Sequence, residues 1–461
     1  MDGAEPQTTT ILRNLAREIA RFDPGRITHR GLATAKAGIA DTVGVTLAGM
    51  SEPSVQILLA TPGIGDGPGP AAILGTGRCT SLLDAALING TASHAQDFDD
   101  FSDVLGGHQS VPLVAPLLAQ ASERTFSGAD LIAAYAVGLE VEHRFARAVH
   151  PTHYDKGWHP TATLGIFGTV AAVAHARQLE PDRTTIALAL AASMASGLKS
   201  NFGTMTKPLH VGHSARSGLM AVLLAEQGFT ANPGTIEHDQ GFLRVFNGAD
   251  AFDSGPLTET WRDPLHLDLP SLAIKQFPCC GSTHHAIAAA LSLRDGEAVD
   301  PARIQAIEIA VHARRLRHTD TPLPETPLQA KFSVQYAVAR ALLDGTVRLQ
   351  DFNDGAYAEP PIRRLLACTK AVAAHLGTWD AEVSVALTDG RRLTRRIENI
   401  VGRSGANAMS KTELGEKFFD CADPVLGRAR AERAFSALMA LETVPDMAAL
   451  VDRDLTLTED P

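Results

Sequence analysis

Hydrophobic residues in the first part of the chain recur at helical spacing. The first amphipathic helix is predicted to end at the Pro–Gly pair 24–25, and its buried face would consist of Ile11, Leu12, Leu15, Ile19 and Phe22. Ser127 and Asp130 have the spacing of a capping box, which predicts a helix that continues to about residue 149. Residues 182–198 are almost all small or apolar, so we expect a central helix that is buried on every side.

From about residue 269 the apolar spacing changes to that of strands. Two segments alternate apolar with other residues, as half-buried strands do, and they contain Ile307, Ile309 and Val311, and Val383, Val385 and Leu387. Asp389–Gly390 then predicts a type I′ turn into a further strand at 393–397. Between the two segments, Thr326–Pro327 is predicted to start a helix that ends at Gly345.

These patterns predict a fold that is mainly α with a smaller α+β domain. A capping box of Ser410 with Glu413 indicates that the last part of the chain is helical again. A chain of 461 residues is also long enough for two cores. We therefore predict a large all-helical domain of residues 1–268, completed by 405–461, and an α+β lid domain of residues 269–404.

The composition is that of a globular protein with an acidic surface. Hydrophobic residues make up 45% of the chain and charged residues 20%, which excludes a disordered protein. The formal net charge is -11, and such a surface repels nucleic acids and anionic membranes. We expect neither as a partner, and an anionic substrate would need a local cluster of cations.

The five cysteines are an odd set without CxxC spacing, so a disulfide framework, a zinc ribbon and an iron–sulfur cluster are all disfavoured. The start of the chain has neither the basic nor the apolar region of a signal peptide, and no run of about 18 apolar residues follows. These features predict a cytoplasmic protein. The glycine-rich loops that bind dinucleotides or nucleotide phosphates are also missing, and we expect no cofactor.

Polar residues with useful chemistry stand at several predicted helix starts. Pro160 fits the first position of a helix with His159 just outside it, Lys207–Pro208 repeats this arrangement, and His108 precedes a cap at Ser110. Helix N-termini attract carboxylates through their unpaired N–H groups and dipole. Several such starts that converge with Lys and His would bind a di- or tricarboxylate. Taken singly, each of these residues is more often an exposed loop residue.

Two other segments leave alternatives open. His94, Asp97 and His108 could bind zinc, but their spacing is nonspecific, and we favour an Asp that orients a catalytic His or Lys. Cys279–Cys280 could be nucleophilic, but without a neighbouring base a buried apolar role is favoured. We therefore expect no metal.

Five segments together resemble the MmgE/PrpD family, in the family's order and along most of the chain. They are NGTASHAQDFDD (89–100), GHQSVPLVAPLLA (107–119), GWHPTATLGIFG (157–168), NFGTMTKPLHVGHSAR (201–216) and KQFPCCGSTHHAI (275–287). The resemblance implies a helical domain with an α+β lid, a homodimer and no required metal. It also implies an enzyme for a small polycarboxylic acid, since the family includes 2-methylcitrate dehydratase, cis-aconitate decarboxylase and an iminodisuccinate epimerase.

By this resemblance the catalytic residues would be His159, Lys207, Asp97 and His108. The residues expected at the substrate are Lys275, His318, Thr206 and Ser282. Phe101 stands where the family's decarboxylase has Thr, and His318 where that enzyme has a catalytic Tyr, which favours reactions other than decarboxylation. The spacing between DFDD and His108 is more like that of the epimerase, whereas PCCGSTH is more like the dehydratase branch.

We accordingly predict a metal-independent lyase of the 2-methylcitrate dehydratase type. His159 or His108 would remove and deliver protons next to a carboxylate, and Asp97 would orient or charge them. Lys207 would hold the carboxylate whose charge grows in the transition state. The alternatives are an epimerase or isomerase of an amino- or imino-dicarboxylate, a decarboxylase of the cis-aconitate type, and a non-catalytic helical protein that binds a metabolite.

Overall fold

The computed structural model describes residues 10–269, 272–400, 402 and 407–457. The chain forms two compact units: the first comprises Met1–Ala95, Asp99–Ile274 and Lys411–Pro461, and the second comprises Gln96–Phe98 and Lys275–Ser410. The domain boundaries near residues 269 and 404–405 stay predictions, and residues 404 and 405 lie outside the described part.

Helices and strands are numbered along the chain. The helices are α1 Ile11–Ala20, α2 His29–Gly49, α3 Pro53–Ala60, α4 Leu82–Ala95, α5 Val111–Gln120, α6 Gly128–Val149, α7 Thr152–Asp155, α8 Pro160–Thr163, α9 Gly165–Ala176, α10 Pro181–Met194, α11 Thr206–Glu226, α12 Phe242–Asn247, α13 Gly255–Thr258, α14 His284–Glu297, α15 Ala313–Leu316, α16 Pro327–Lys331, α17 Val334–Asp344, α18 Pro360–Ala367, α19 Lys411–Leu426, α20 Arg428–Met439 and α21 Met447–Leu450. The strands are β1 Ala71–Ala72, β2 Cys79–Thr80, β3 Ile304–His312, β4 Thr369–Ala374, β5 Ala381–Leu387 and β6 Arg392–Ile397.

Helices dominate the first unit, and the second combines helices with a four-stranded sheet, so the predicted fold class is confirmed. Helix α1 buries its predicted face, and the capping box of Ser127 and Asp130 begins α6. The prediction for 182–198 was wrong about the extent of the buried helix. Helix α10 ends at Met194, and Asp182, Arg183 and Ser193 near its two ends are exposed, whereas residues 184, 185 and 187–192 between them are buried.

Helices α4 and α11 cross closely in the first unit because glycines lie at their contact. A Cβ added to Gly212 would be 2.2 Å from the carbonyl oxygen of Leu87, and a Cβ on Gly90 would be 3.0 Å from the Cα of Gly212. Gly90 precedes His94 by one helical turn, and His210 lies two residues before Gly212. The backbone approach therefore positions the histidines of the candidate site.

The sheet of the second unit has the strand order β4-β3-β5-β6, with β3 and β4 parallel and the other pairs antiparallel. The predicted strands are confirmed, and their alternating apolar residues are buried together with those of α14 and α17. Gly390 has φ +86°, whereas Asp389 has no positive φ, so the turn between β5 and β6 is not type I′. The helix predicted from Thr326 to Gly345 is two helices, because Ser333 caps α17 anew.

Within the described residues, no one helix has both the length and the apolar composition to cross a membrane. Helices α2 and α3 meet that test only together, as a pair bent by 71°.

Candidate active site

Two histidines of the first unit share one carboxylate oxygen. Oδ2 of Asp99 lies 2.7 Å from Nδ1 of His94 and 2.8 Å from Nδ1 of His108. His94 stands in the last turn of α4, and His108 lies just before α5, so the carboxylate joins the end of one helix to the start of the next. The sequence prediction gave this orienting role to Asp97, and it was wrong about which carboxylate pairs with the histidines.

The shared carboxylate is ionised and orients both rings. Asp99 is fully buried, which alone would raise its pKa, but His108 and His94 outweigh burial and lower the pKa well below its usual value. Burial lowers the pKa of His94 to about 3, so this ring is neutral near pH 7. A neutral ring that donates from Nδ1 to a carboxylate leaves Nε2 as the basic atom. We assign this tautomer to His94 on the basis of its hydrogen bond, and Nδ1 of His108 faces the same oxygen at 2.8 Å.

His94, Asp99 and His108 are also the one trio of possible metal ligands within the described ranges, since their ligand atoms lie within 4.8 Å of one another. A tetrahedral zinc site with bonds of about 2.0–2.2 Å would separate neighbouring ligand atoms by roughly 3.3 Å. The 2.7 Å and 2.8 Å contacts are shorter and have the length of charge-assisted hydrogen bonds. The distances therefore suit protons shared among His94, Asp99 and His108 better than a bound zinc ion.

His159 is the third histidine of the cluster, and it is predicted correctly to stand just before Pro160 at the start of α8. Its ring is stacked on that of His94 with 5.7 Å between centroids, and it meets the edge of Phe202 at 4.9 Å. Nδ1 lies 3.2 Å from Nδ1 of His210, whereas Nε2 is buried and has no hydrogen-bond partner within the described part of the chain. Burial, followed by His94 and Lys207, lowers the pKa of His159 well below its usual value.

Lys207 is the cation of this cluster. It is 6% exposed, and its Nζ lies 5.4 Å from the centroid of the Phe202 ring, which also contacts His159. Its charge lowers the pKa of His94, His159 and His210, because each positive imidazolium would be repelled. Lys207 therefore acts on the same imidazoles that could move protons.

The structure corrects the prediction for the start of α11. Lys207 lies inside the first turn rather than before it, and Thr206 begins the helix. The backbone N–H groups of Thr206 and Lys207 already donate to Oγ1 and the carbonyl of Thr204 at 3.2 Å and 3.1 Å. The ammonium group, not these two N–H groups, is therefore what this helix start offers to an anion.

Hydrogen bonds hold the helix starts of α5 and α8 together. The N–H of His108 donates to Oγ1 of Thr161 at 3.0 Å, and Thr161 lies in the first turn of α8. Ser110 stands at the start of α5, but its hydroxyl donates to Asp100 instead of capping the helix. Asp100 directly follows Asp99, so this bond also secures the loop that carries the shared carboxylate. The predicted convergence of helix starts is observed for His108, His159 and Lys207.

The remaining predicted residues form two contacts in the second unit. Nζ of Lys275 donates to the carbonyl of Asp97 at 2.6 Å and lies 3.1 Å from its Oδ1, and both side chains are buried. Asp97 has a positive φ of 52°, a conformation that Asp tolerates better than most residues. Ser282 and His318 meet at the surface, where Oγ lies 3.0 Å from Nε2.

The two cysteines near Lys275 fit the buried apolar role. Cys279 and Cys280 are buried, and burial raises the pKa of Cys279 to about 12 and also raises that of Cys280. A thiol with a raised pKa is a poor nucleophile at neutral pH.

Sequence reasoning missed Asp99 and His210 and treated His94 only as a metal ligand. A signal for His210 exists, because residues three apart on a helix share a face and His210 follows Lys207 by three. The signal for Asp99 is weaker, since the DFDD segment offers three carboxylates and only the backbone path selects among them.

Comparisons with known proteins match most of the chain. The model described as MmgE/PrpD N-terminal domain matches residues 13–254, and that described as MmgE/PrpD C-terminal domain matches residues 277–442. A cis-aconitate decarboxylase of Homo sapiens is 28% identical over 96% of this chain and 94% of its own length. One of Mus musculus is 30% identical over 79% of this chain and 77% of its own, and one of Aspergillus terreus is 26% identical over 84% of each.

Proposed function

Because the chain belongs to the MmgE/PrpD family, we propose that it is a lyase that acts on a small polycarboxylic acid. The observation that carries the proposal is the presence of two differently held imidazoles beside one buried ammonium group. His108 is held by the carboxylate of Asp99, His159 is held by the neutral ring of His210, and Lys207 lies in the same cluster.

Their surroundings suit the two histidines to opposite roles. A carboxylate at Nδ1 stabilises the imidazolium that a base becomes, so His108 is the base that removes a proton next to a carboxylate. Its side chain is 12% exposed, which makes it more accessible than His159 at 1%. His159 has no carboxylate at Nδ1 and a depressed pKa, so its protonated form is a strong acid. Lys207 holds the carboxylate whose negative charge grows as the proton leaves.

Dehydration is the reaction that this pair fits best. The C–H bond breaks as its proton passes to Nε2 of His108, the C–O bond breaks, and the hydroxyl leaves as water with a proton from His159. A double bond remains between the two carbons. Dehydration requires a base and an acid together, and 2-methylcitrate is the substrate type that we expect.

Decarboxylation of a cis-aconitate type of acid is the second candidate. It is favoured by the similarity to the cis-aconitate decarboxylases. Loss of carbon dioxide leaves a carbanion that needs only one proton donor. Epimerisation of an amino- or imino-dicarboxylate would use the same proton abstraction without a leaving group.

One panel of assays separates these reactions. Dehydration of 2-methylcitrate produces ultraviolet absorbance from a new double bond, and decarboxylation of cis-aconitate releases carbon dioxide. Epimerisation exchanges the α-proton with deuterated water and forms no double bond. We expect the first signal; if none of the three appears with any di- or tricarboxylate, the proposed function is wrong.

The variant His159→Ala tests the site within that assay. It should abolish turnover of the substrate found, because the acid is lost. His175→Ala is the matched control, since His175 is a half-buried histidine on α9 with a lowered pKa of its own and has no place in the proposed mechanism. Equal activity of His159→Ala and the wild type would refute the assignment.

We also propose that the enzyme needs no metal ion and works as a homodimer in the cytoplasm. The short Asp99 contacts support the first point, since they suit hydrogen bonds better than metal bonds. The five cysteines are an odd set without CxxC spacing, which suits a reducing compartment. Full activity after dialysis against a chelator and a dimer mass by light scattering are the expected results.

A further inference from the structure

His159 and His210 contact each other through the same ring atom, Nδ1, of each side chain. The two Nδ1 atoms lie 3.2 Å apart, and the ring centroids are 5.4 Å apart. Two nitrogens at this distance can share only one proton, so one ring donates and the other accepts.

The far side of His159 is different. Nε2 is buried and has no hydrogen-bond partner among the residues that the structure describes, although Nδ1 contacts His210. A buried polar atom without a partner costs free energy, and its presence suggests a group that is completed by a ligand. Nε2 is therefore the atom of His159 that would meet the substrate.

We propose that His210 is a positioning residue that accepts the Nδ1–H of His159 and so leaves Nε2 as the only atom where His159 gains and loses its proton. This rests on the proposed function and deepens it. His159 keeps its Nδ1–H both as the imidazolium and as the neutral ring, and the proton at Nε2 passes to the leaving hydroxyl. No ring flip is needed between turnovers.

The charges around His210 agree with an acceptor role. The groups that act on it are His159, Lys207 and His213. Burial, followed by His213 and Lys207, lowers the pKa of His210, so the ring is neutral and can accept at Nδ1. A neutral acceptor stabilises an imidazolium less than a carboxylate does. The neutral His210 beside His159 and the carboxylate of Asp99 beside His108 thus give two similar imidazoles different roles. His159 is the acid and His108 is the base.

Two variants of His210 test whether its function depends on the hydrogen-bond acceptor or only on the volume of the ring. His210→Gln retains an acceptor oxygen, and His210→Phe retains the ring volume without an acceptor. We expect His210→Phe to lower kcat roughly 10–100-fold, with KM within about twofold, and His210→Gln to stay close to the wild type. His175→Phe is the matched control, because His175 is a half-buried histidine on α9 outside this cluster, and it should leave kcat unchanged. Unchanged kcat in His210→Phe, or equal losses in the Gln and Phe variants, would overturn the proposal.

A measurement that needs no turnover tests the role of His210 independently of the proposed function. In the full-length protein with ¹⁵N-labelled histidine, long-range ¹⁵N–¹H spectra report which ring nitrogen carries the proton. The signals of His159, identified by their loss in His159→Gln, should show a protonated Nδ1 in the wild type and a mixture in His210→Phe. A protonated Nε2 in the wild type would overturn the role of His210. A wild-type enzyme that turns over no polycarboxylate would instead overturn the proposed function.

Discussion

Nζ of Lys417 lies 2.6 Å from Oδ1 of Asp41, and the two side chains are only 5% and 0% exposed. Lys417 is on α19 and Asp41 is on α2, so the ion pair joins a helix from the C-terminal part of the chain to a central helix of the first unit. Asp41 also lies close enough to Asp100 for its charge to raise the pKa of that carboxyl group.

The first prediction concerns this buried pair. Lys417→Met should lower the free energy of unfolding by about 3–5 kcal/mol, because it leaves the carboxylate of Asp41 buried without its cation. Urea denaturation followed by circular dichroism measures the loss. Lys411→Met on the same helix is the control, since Lys411 is exposed and its replacement should cost less than about 0.5 kcal/mol. Similar losses in both variants would contradict the argument.

The second prediction compares two adjacent carboxyl groups. Burial, followed by the charge of Asp41, raises the pKa of Asp100 well above its usual value, so its side chain is a neutral acid. The amide in Asp100→Asn can still bond the N–H and hydroxyl of Ser110, and we expect stability within about 1 kcal/mol of the wild type and little change in kcat.

Asp99→Asn should behave differently, because Asp99 is ionised and accepts from two histidines. An amide nitrogen facing Nδ1 would favour the wrong tautomer of His108. We expect kcat to fall by about 10²-fold or more, measured at saturating substrate. If the Asp100→Asn variant loses as much activity as Asp99→Asn, the two carboxyl groups do not differ as described.

The features that the sequence predicted well depend on neighbouring residues. His159 before Pro160 and the capping box of Ser127 with Asp130 are both local patterns, and both are observed. The partner of His159 is not local, because His210 lies 51 residues away and reaches it only through the packing of α11. Long-range packing of this kind leaves no spacing rule in a single sequence.

The choice between Asp97 and Asp99 shows the same limit within one short segment. Asp97 adopts a positive φ of 52°, which changes the backbone direction between the two residues. Asp97 belongs to the second unit with Lys275, whereas Asp99 belongs to the first unit with His94 and His108. Nothing in the order of residues in DFDD indicates that the chain passes between units there.

The third prediction uses Glu142 on α6, whose carboxyl is fully buried and whose two oxygens have no hydrogen-bond partner among the described residues. Burial raises its pKa well above 4.5. The folded state thus holds a proton that the unfolded state releases above about pH 4.5, so this group makes folding less favourable as the pH rises.

Glu142→Gln removes that dependence with little change of shape. The variant should gain stability relative to the wild type by up to about 1.4 kcal/mol per pH unit from pH 5 upwards, until the folded pKa of Glu142 is reached. Denaturant unfolding at pH 5, 6.5 and 8 measures the difference, and the difference should be smallest at pH 5. A difference that does not change with pH would show that Glu142 is not protonated in the folded state.

The fourth prediction follows from the low pKa of His159. A bound tricarboxylate brings negative charge beside a ring that burial, His94 and Lys207 keep neutral, and this charge raises the pKa of His159. Binding near pH 7 should therefore take up about one proton. His159 is then protonated before the reaction begins, as a general acid must be.

Titration calorimetry with propane-1,2,3-tricarboxylate, which has neither a hydroxyl group to lose nor a double bond, measures this uptake without turnover. The observed heat should vary with the ionisation enthalpy of the buffer, with a slope of about one proton. In His159→Gln the slope should fall towards zero while binding through Lys207 persists, and in His175→Gln it should stay as in the wild type. A slope that His159→Gln leaves unchanged would assign the proton to another group and remove the reason for calling His159 the acid.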